Sequence, residues 1–142
     1  MRYSRQIILP EFGAEGQQKL KNSSVMIIGA GGLGVPVLQY LTAAGVGRIG
    51  IIDQDNVELS NLHRQVIYTE REVDLPKAQL AKEKMIALNS EIQIDAFERK
   101  LTSENAIDLL KNYNLIVDCT DNFPTRYLVN DACVLLDKPL IY

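Results

Sequence analysis

At 142 residues the chain suits one domain with a real hydrophobic core. Hydrophobic residues make up 46% and charged residues 23%, an ordinary soluble composition, and the net charge of −3 with no basic arm or patch argues against a non-specific nucleic-acid binder. No apolar run reaches membrane-spanning length, no signal peptide opens the chain, and Cys119 and Cys133 form no metal-ligand spacing, so a reducing cytoplasmic setting without membrane contact is expected.

Residues 1–24 read as an N-terminal arm, with a short apolar patch at Ile7, Ile8 and Leu9 and a short polar helix over 14–21. The rest, 25–142, reads as one Rossmann-like unit. Val25-Met26-Ile27-Ile28 is an apolar run without alternation, which suits a central parallel strand. A helix follows over 33–44, with Pro36 tolerated in its first turn and Gly45 and Gly47 ending it. Residues 48–53 form the second strand. Residues 54–73 have no clean period and read as a long loop with room for a helical turn, a length that in a compact domain points to function or disorder. Pro76 opens a helix to about Leu88. Ile92, Ile94 and Ala96 alternate with polar neighbours, which predicts a half-exposed strand at a sheet edge. Thr102-Ser103-Glu104 is expected to cap a helix running to about Lys111. Leu115-Ile116-Val117 is a buried strand ending at Asp118, 123–136 is helical, and a strand begins at Leu140. The alternation predicts a doubly wound α/β fold with a mainly parallel sheet, truncated at its C-terminal side inside what reads as a strand.

The first strand runs into Gly29-Ala30-Gly31-Gly32-Leu33-Gly34, which fits G-x-G-x-x-G at Gly29, Gly31 and Gly34. Gly29 permits the tight turn, Gly31 lets the backbone approach a phosphate, and Gly34 lets helix and strand pack closely. The helix N-terminus beyond presents free N–H groups to an anion. The second strand ends at Asp53, where a ribose-binding acid is expected. Asp55 lies just beyond; Asp118, Thr120, Asp121 and Asn122 follow the strand at 115–117. Ligands of such sheets sit beyond the carboxyl ends of the strands, so these groups converge on the glycine turn. Carboxylates suit magnesium, and Arg64 and Lys77 suit phosphates. That much positive charge favours magnesium-ATP over a dinucleotide.

Taken together, Arg2-Tyr3-Ser4-Arg5-Gln6, the glycine turn, Ser60-Asn61-Leu62-His63-Arg64-Gln65, Pro76-Lys77 and Asp118-Cys119-Thr120-Asp121-Asn122 resemble the ThiF/MoeB/HesA family, bacterial relatives of ubiquitin-activating enzymes. The resemblance spans essentially the whole chain, with the motifs in order. It implies ATP-dependent adenylylation of the C-terminal Gly-Gly carboxylate of a small ubiquitin-like sulfur carrier, ahead of thiocarboxylate formation in molybdenum cofactor or thiamine biosynthesis. It further implies that Gly32 approaches the phosphates, that Asp53 holds the ribose, and that Asn61, Arg64 and Lys77 contact phosphates. Asp121 would hold magnesium with Asn122 beside it, and Arg5 would reach the partner's phosphates across a homodimer. A catalytic cysteine and a zinc site would lie beyond Tyr142. Ser60, Leu62 and His63 belong to the same motif and count as candidate nucleotide-site residues, although His63 receives no individual role.

Plainer readings stand beside these. Lys77 would be a solvated helix residue, Arg64 a surface charge, Arg5 an exposed arm residue and Asp118 a cap on the next turn. Cys119 has no histidine partner and reads as packing, as does Cys133. Two other functions share the glycine turn: an NAD-dependent oxidoreductase, which leaves Asn61, Arg64, Lys77 and Asp121 unexplained, and a non-catalytic module supporting a competent partner.

Overall fold

The computed structural model describes residues 2–142. Within them a five-stranded, all-parallel sheet runs in the order β3-β2-β1-β4-β5. The strands are β1 (Ser24–Ile28), β2 (Arg48–Ile52), β3 (Gln93–Phe97), β4 (Leu115–Asp118) and β5 (Leu140–Ile141). The order reverses direction between β1 and β4, which is the switch point of a doubly wound fold.

Both faces of the central strands are covered, which explains their unbroken apolar runs. Val25 and Ile27 of β1 face a cluster built with α3 (Gly34–Ala44) and α4 (Lys77–Leu88), including Val35, Leu38, Ala81 and Met85. Met26 and Ile28 face the other way, against α5 (Ala106–Leu110) and α6 (Phe123–Leu136), with Leu110, Tyr113, Val129 and Cys133. Each fully buried aliphatic side chain stabilises such a core by about 1.5–3 kcal/mol. β3 pairs only with β2 and forms one edge of the sheet, as its alternation predicts.

Two short helices, α1 (Ser4–Ile7) and α2 (Gly13–Lys21), make up most of the N-terminal segment. They dock at the end of the sheet where the strands begin. Gln6 Nε2 and Gln17 Nε2 both donate to the Ala44 carbonyl, at 3.1 and 3.0 Å, and Asn89 Nδ2 donates to the Tyr3 hydroxyl at 2.8 Å. α3 ends with Gly45 in the left-handed conformation at φ 89°, against the Tyr3 ring. Ile8 and Leu9 remain exposed beside this docked segment.

The segment 54–76 is ordered rather than loose. It contains two 3-10 turns, Leu59–Asn61 and Glu70–Glu72, and is anchored by a bridge between Asn56 and Pro76. Val57, Ile67 and Tyr68 carry it into the core. The helix expected after Thr102 begins later, at Ala106, and Thr102 does not cap it by its side chain. Instead Asn105 Oδ1 accepts the Thr102 N–H at 2.9 Å, closing a separate turn first. Among the described residues no helix is long and apolar enough to cross a membrane.

Candidate functional site

A cleft of about 670 Å³ opens over the carboxyl ends of the strands at the switch point. That volume is ordinary for a small-molecule site. Gly29, Gly31 and Gly32 form its floor after β1; Asp53 and Asp55 enter after β2; Arg99 and Lys100 enter after β3; Thr120 and Asp121 enter after β4.

Each glycine of the turn is explained by a different constraint. Gly29 has φ 97°, and a Cβ there would sit 3.0 Å from the Cys119 carbonyl oxygen, so the turn lies against β4. A Cβ at Gly34 would fall within 2.9 Å of the Gly29 carbonyl carbon and nearer still to its oxygen. Gly31 is different: its φ is not positive, and a Cβ would touch only Gln65 Nε2, at 3.4 Å. The fold itself would accept a methyl group at Gly31. The room above it faces the cleft.

Asp53 is bound by the backbone on both oxygens. Ala30 N–H donates to Oδ2 at 2.7 Å and Asp55 N–H to Oδ1 at 2.8 Å. Burial pushes its carboxyl above the ordinary value, opposed by these two bonds and by the Lys77 charge. Asp53 thus anchors the glycine turn while keeping acceptor capacity for a ribose hydroxyl.

Lys77 is buried, contrary to the solvated-helix alternative. It is the first residue of α4, and its Nζ lies 3.9 Å from Asp55 Oδ2. Arg64 lies on the glycine turn: its Cδ is 3.3 Å from where a Gly32 Cβ would be, and Nη1 donates to the Ser60 carbonyl at 3.3 Å. Asn61, also buried, accepts the Glu58 N–H at 3.2 Å. Asp121 is exposed on the cleft wall with no hydrogen bond or ion pair to another described residue.

Not every candidate reaches the cleft. Asn61 and Arg64 are three residues apart on a 3-10-like turn, so they share a face and line the site. Ser60, Leu62 and His63 fall on other faces. Ser60 Oγ donates to Glu58 Oε2, Leu62 packs on the core, and His63 Nδ1 lies 3.1 Å from the Ser60 carbonyl. Gly34 supports the floor from behind rather than lining it. Asn122 lines the rim, but its Oδ1 is engaged in capping α6 by accepting the Thr125 N–H at 3.0 Å. Asp118 is buried and accepts from Thr120 N–H and Oγ1, the capping role given as its plainer reading. Arg5 is exposed on α1 and does not line the cleft. The length of β1 alone puts about 13 Å between the two ends of the sheet.

The cleft also holds residues given no role from sequence. Gln65 is buried over Gly31, and its Oε1 has no partner among the described residues, so a ligand donor has a place there. Arg99 and Lys100 add two cations past the end of β3. The rule that ligands collect beyond strand ends would have found them once β3 was placed at the edge. Cys119 is shielded: burial, with the Asp118 charge, pushes its thiol up to about 11, which keeps it un-ionised and a poor nucleophile.

Among the described residues no group of three or more His, Cys, Asp or Glu side chains could hold a metal on its own. Magnesium is commonly held by one or two carboxylates with phosphate oxygens and water, and the free Asp121 carboxylate fits that mode.

Residues 3–142 match the ThiF family. The chain is 60% identical over 141 residues to a sulfur carrier protein adenylyltransferase of Thermus thermophilus, covering 99% of this chain and 52% of that protein. It is 57% identical over 140 residues to adenylyltransferase and sulfurtransferase MOCS3 of Anopheles gambiae, covering 99% of this chain and 32% of that one. It thus spans from about a third to a half of the length of these relatives. Among solved structures, Escherichia coli MccB with AMPCPP and MccA is 32% identical with a TM-score of 0.88, over 99% of this chain and 43% of MccB. E. coli tRNA N6-threonylcarbamoyladenosine dehydratase shares the fold with a TM-score of 0.92 at 24% identity, over 98% of this chain and 58% of that one. The glycine turn, the Asn61–Gln65 turn packed on it and the buried Lys77 are thus the site of a chain that belongs to the ThiF family.

Proposed function

We propose that this chain is the nucleotide-binding part of an enzyme that uses magnesium-ATP to adenylylate the C-terminal Gly-Gly carboxylate of a ubiquitin-like sulfur carrier, for molybdenum cofactor or thiamine synthesis. One observation carries the reading. A cleft with four cations, Arg64, Lys77, Arg99 and Lys100, closes over a glycine turn in a chain 60% identical to a protein named for that activity. Neighbours solved with ATP and with a second polypeptide, MccB in both cases, support it.

In the reaction a carboxylate oxygen of the carrier attacks the α-phosphorus. The bond from that phosphorus to the bridging oxygen breaks, and pyrophosphate leaves with the electron pair. The product is an acyl-adenylate. The attacking carboxylate is already ionised at neutral pH, so no strong base is required. Catalysis then rests on positioning and charge. Lys77 and Arg64 neutralise phosphate oxygens, Asn61 lies beside them, Asp53 accepts from the ribose, and Asp121 would hold the magnesium. Bound magnesium would neutralise phosphate charge. Arg5 sits at the base of its own sheet, so we place its action in the site of a second subunit of a homodimer.

The test is exchange of labelled pyrophosphate into ATP by the full-length protein. Exchange that depends on a carrier with an intact Gly-Gly terminus supports the reading. Equal exchange with a carrier lacking the terminal glycine, or no binding of ATP, overturns it.

A further inference from the structure

A closed circuit of hydrogen bonds runs beneath the glycine-turn side of the cleft. Ala30 N–H donates to Asp53 Oδ2 at 2.7 Å, and Asp55 N–H donates to Asp53 Oδ1 at 2.8 Å. Lys77 N–H donates to the Asp55 carbonyl at 3.0 Å. Tyr68 completes the ring. Its hydroxyl donates to the Ala30 carbonyl at 2.9 Å, with the Lys77 carbonyl at 3.4 Å as the weaker acceptor. The circuit joins the glycine turn, the end of β2, the segment carrying Arg64 and the start of α4.

The Tyr68 bond has a directional consequence. The Ala30 carbonyl and the Gly31 N–H belong to one trans peptide, in which the two groups point in opposite directions. Drawing the carbonyl inward to the buried tyrosine turns the Gly31 N–H the other way. That N–H has no acceptor among the described residues, and Gly31 lines the cleft. We propose that Tyr68 is a positioning residue of the nucleotide site: by holding the Ala30 carbonyl it aims the Gly31 N–H at a phosphate and keeps Lys77 in register with the turn. The inference rests on the ATP reading above.

Two features support the assignment. Tyr68 is 4% exposed, and apart from this hydroxyl its side chain lies in the apolar core, so the polar tip serves only these two backbone carbonyls. Burial, with the Asp53 charge nearby, also holds the phenol far above its ordinary value, so it stays a donor at any working pH. The Tyr68 N–H bonds the Gln65 carbonyl at 3.1 Å, which couples the same residue to the turn that lays Arg64 and Gln65 over Gly32 and Gly31.

The experiment compares full-length wild type, Tyr68→Phe and Ile49→Val. The second variant trims a buried β2 residue outside the cleft and matches the modest stability loss expected of the first. ATP affinity is measured by calorimetry, and hydrogen exchange of the peptide spanning 28–38 is followed without ligand. The expected result for Tyr68→Phe is faster exchange of the turn and an ATP Kd raised about three- to tenfold, the scale of one hydrogen bond. Ile49→Val should change neither. Unchanged exchange, unchanged affinity, or equal changes in both variants would overturn the role of Tyr68 while leaving the ATP reading standing. A wild type that binds no ATP overturns that reading, and the positioning role with it.

Discussion

Alanine at two glycines of one turn separates what the fold needs from what a ligand needs. At Gly34 a new Cβ lands on the Gly29 peptide, within 2.9 Å of its carbonyl carbon. Both atoms are tied to backbone, so neither can rotate away, and α3 must shift off the turn. Overpacking of this kind costs about 1–3 kcal/mol, offset by up to about 1 kcal/mol of helix propensity. A net loss of about 1–2 kcal/mol lowers the unfolding midpoint by about 2–8 °C for a chain of this size. At Gly31 the backbone is ordinary and the only neighbour within 4 Å is the end of the Gln65 side chain. Alanine there restricts the unfolded chain and is neutral or stabilising by up to about 1 kcal/mol. Its methyl group nonetheless occupies the space where a phosphate would approach.

The expected outcome is a double dissociation. Gly34→Ala loses stability, while Gly31→Ala keeps or gains stability and loses ATP affinity by about tenfold or more, equivalent to about 1.4 kcal/mol. Thermal unfolding and calorimetry with ATP read the two effects independently. Wild-type ATP affinity in Gly31→Ala would refute the idea that the room beside Gly31, next to the end of the Gln65 side chain, serves a ligand. Unchanged stability in Gly34→Ala would refute the close contact between α3 and the turn.

Lys77→Ala and Asp121→Ala should each slow adenylation by about a hundredfold, roughly 3 kcal/mol of transition-state stabilisation, and rates within about threefold of wild type would remove the assigned roles. Because Lys77 is buried with a single carboxylate 3.9 Å away, its removal should leave unfolding stability unchanged or higher, which denaturant titration would show. Inactive Arg5→Ala and Lys77→Ala proteins should regain part of the activity when mixed as heterodimers, since one site then holds Lys77 and the partner's arginine; no recovery would mean that Arg5 does not act across subunits. Asp95 is pulled up by burial but held below its ordinary value by hydrogen bonds from Gln93, Tyr113 and Arg48. Its contribution is present above its unfolded value near pH 4 and is lost as pH falls through the lower folded value, so the stability gap between wild type and Asp95→Asn should narrow there; a gap constant from about pH 3 to 7 would contradict this.

Parts of this molecule are legible in the chain because a local signal and a tertiary demand coincide. Val25 to Ile28, Ile51 and Ile52, and Ile116 and Val117 read as parallel strands because helices bury both of their faces. The helical turn at Ser4–Ile7 carries no comparable signal. Its placement depends on Ala44 and Asn89, which lie 38 and 86 residues away from the groups they bind. The start of α5 is not legible in the chain because Thr102 and Asn105 are both turn-forming residues, and only the geometry decides which one closes the turn. The side chains of the Ser60–Gln65 motif could not be sorted by residue type. A 3-10-like turn turns Asn61 and Arg64 inward and leaves Ser60 and His63 outside, and that periodicity is too short to show in composition.

The site itself is legible through order rather than through any one motif. A glycine turn after an apolar strand is compatible with several nucleotides, and nothing in it selects among them. Selection comes from what the 3-2-1-4-5 strand order places against it. β1 and β4 are neighbours although 86 residues separate the glycine turn at Gly29 from Leu115, so Cys119 and Asp121 arrive beside Gly29. The ordered segment after β2 folds back, so Arg64 and Gln65 cover Gly32 and Gly31. The Asp55 carbonyl then holds the first N–H of α4 and brings Lys77 in from below. Charge that is dispersed along the chain becomes concentrated only because the sheet switches direction at this point. A change of strand order would scatter the same residues, and the glycine turn would lose Asp53 and Tyr68, which hold its shape, together with the charges that give it its chemistry.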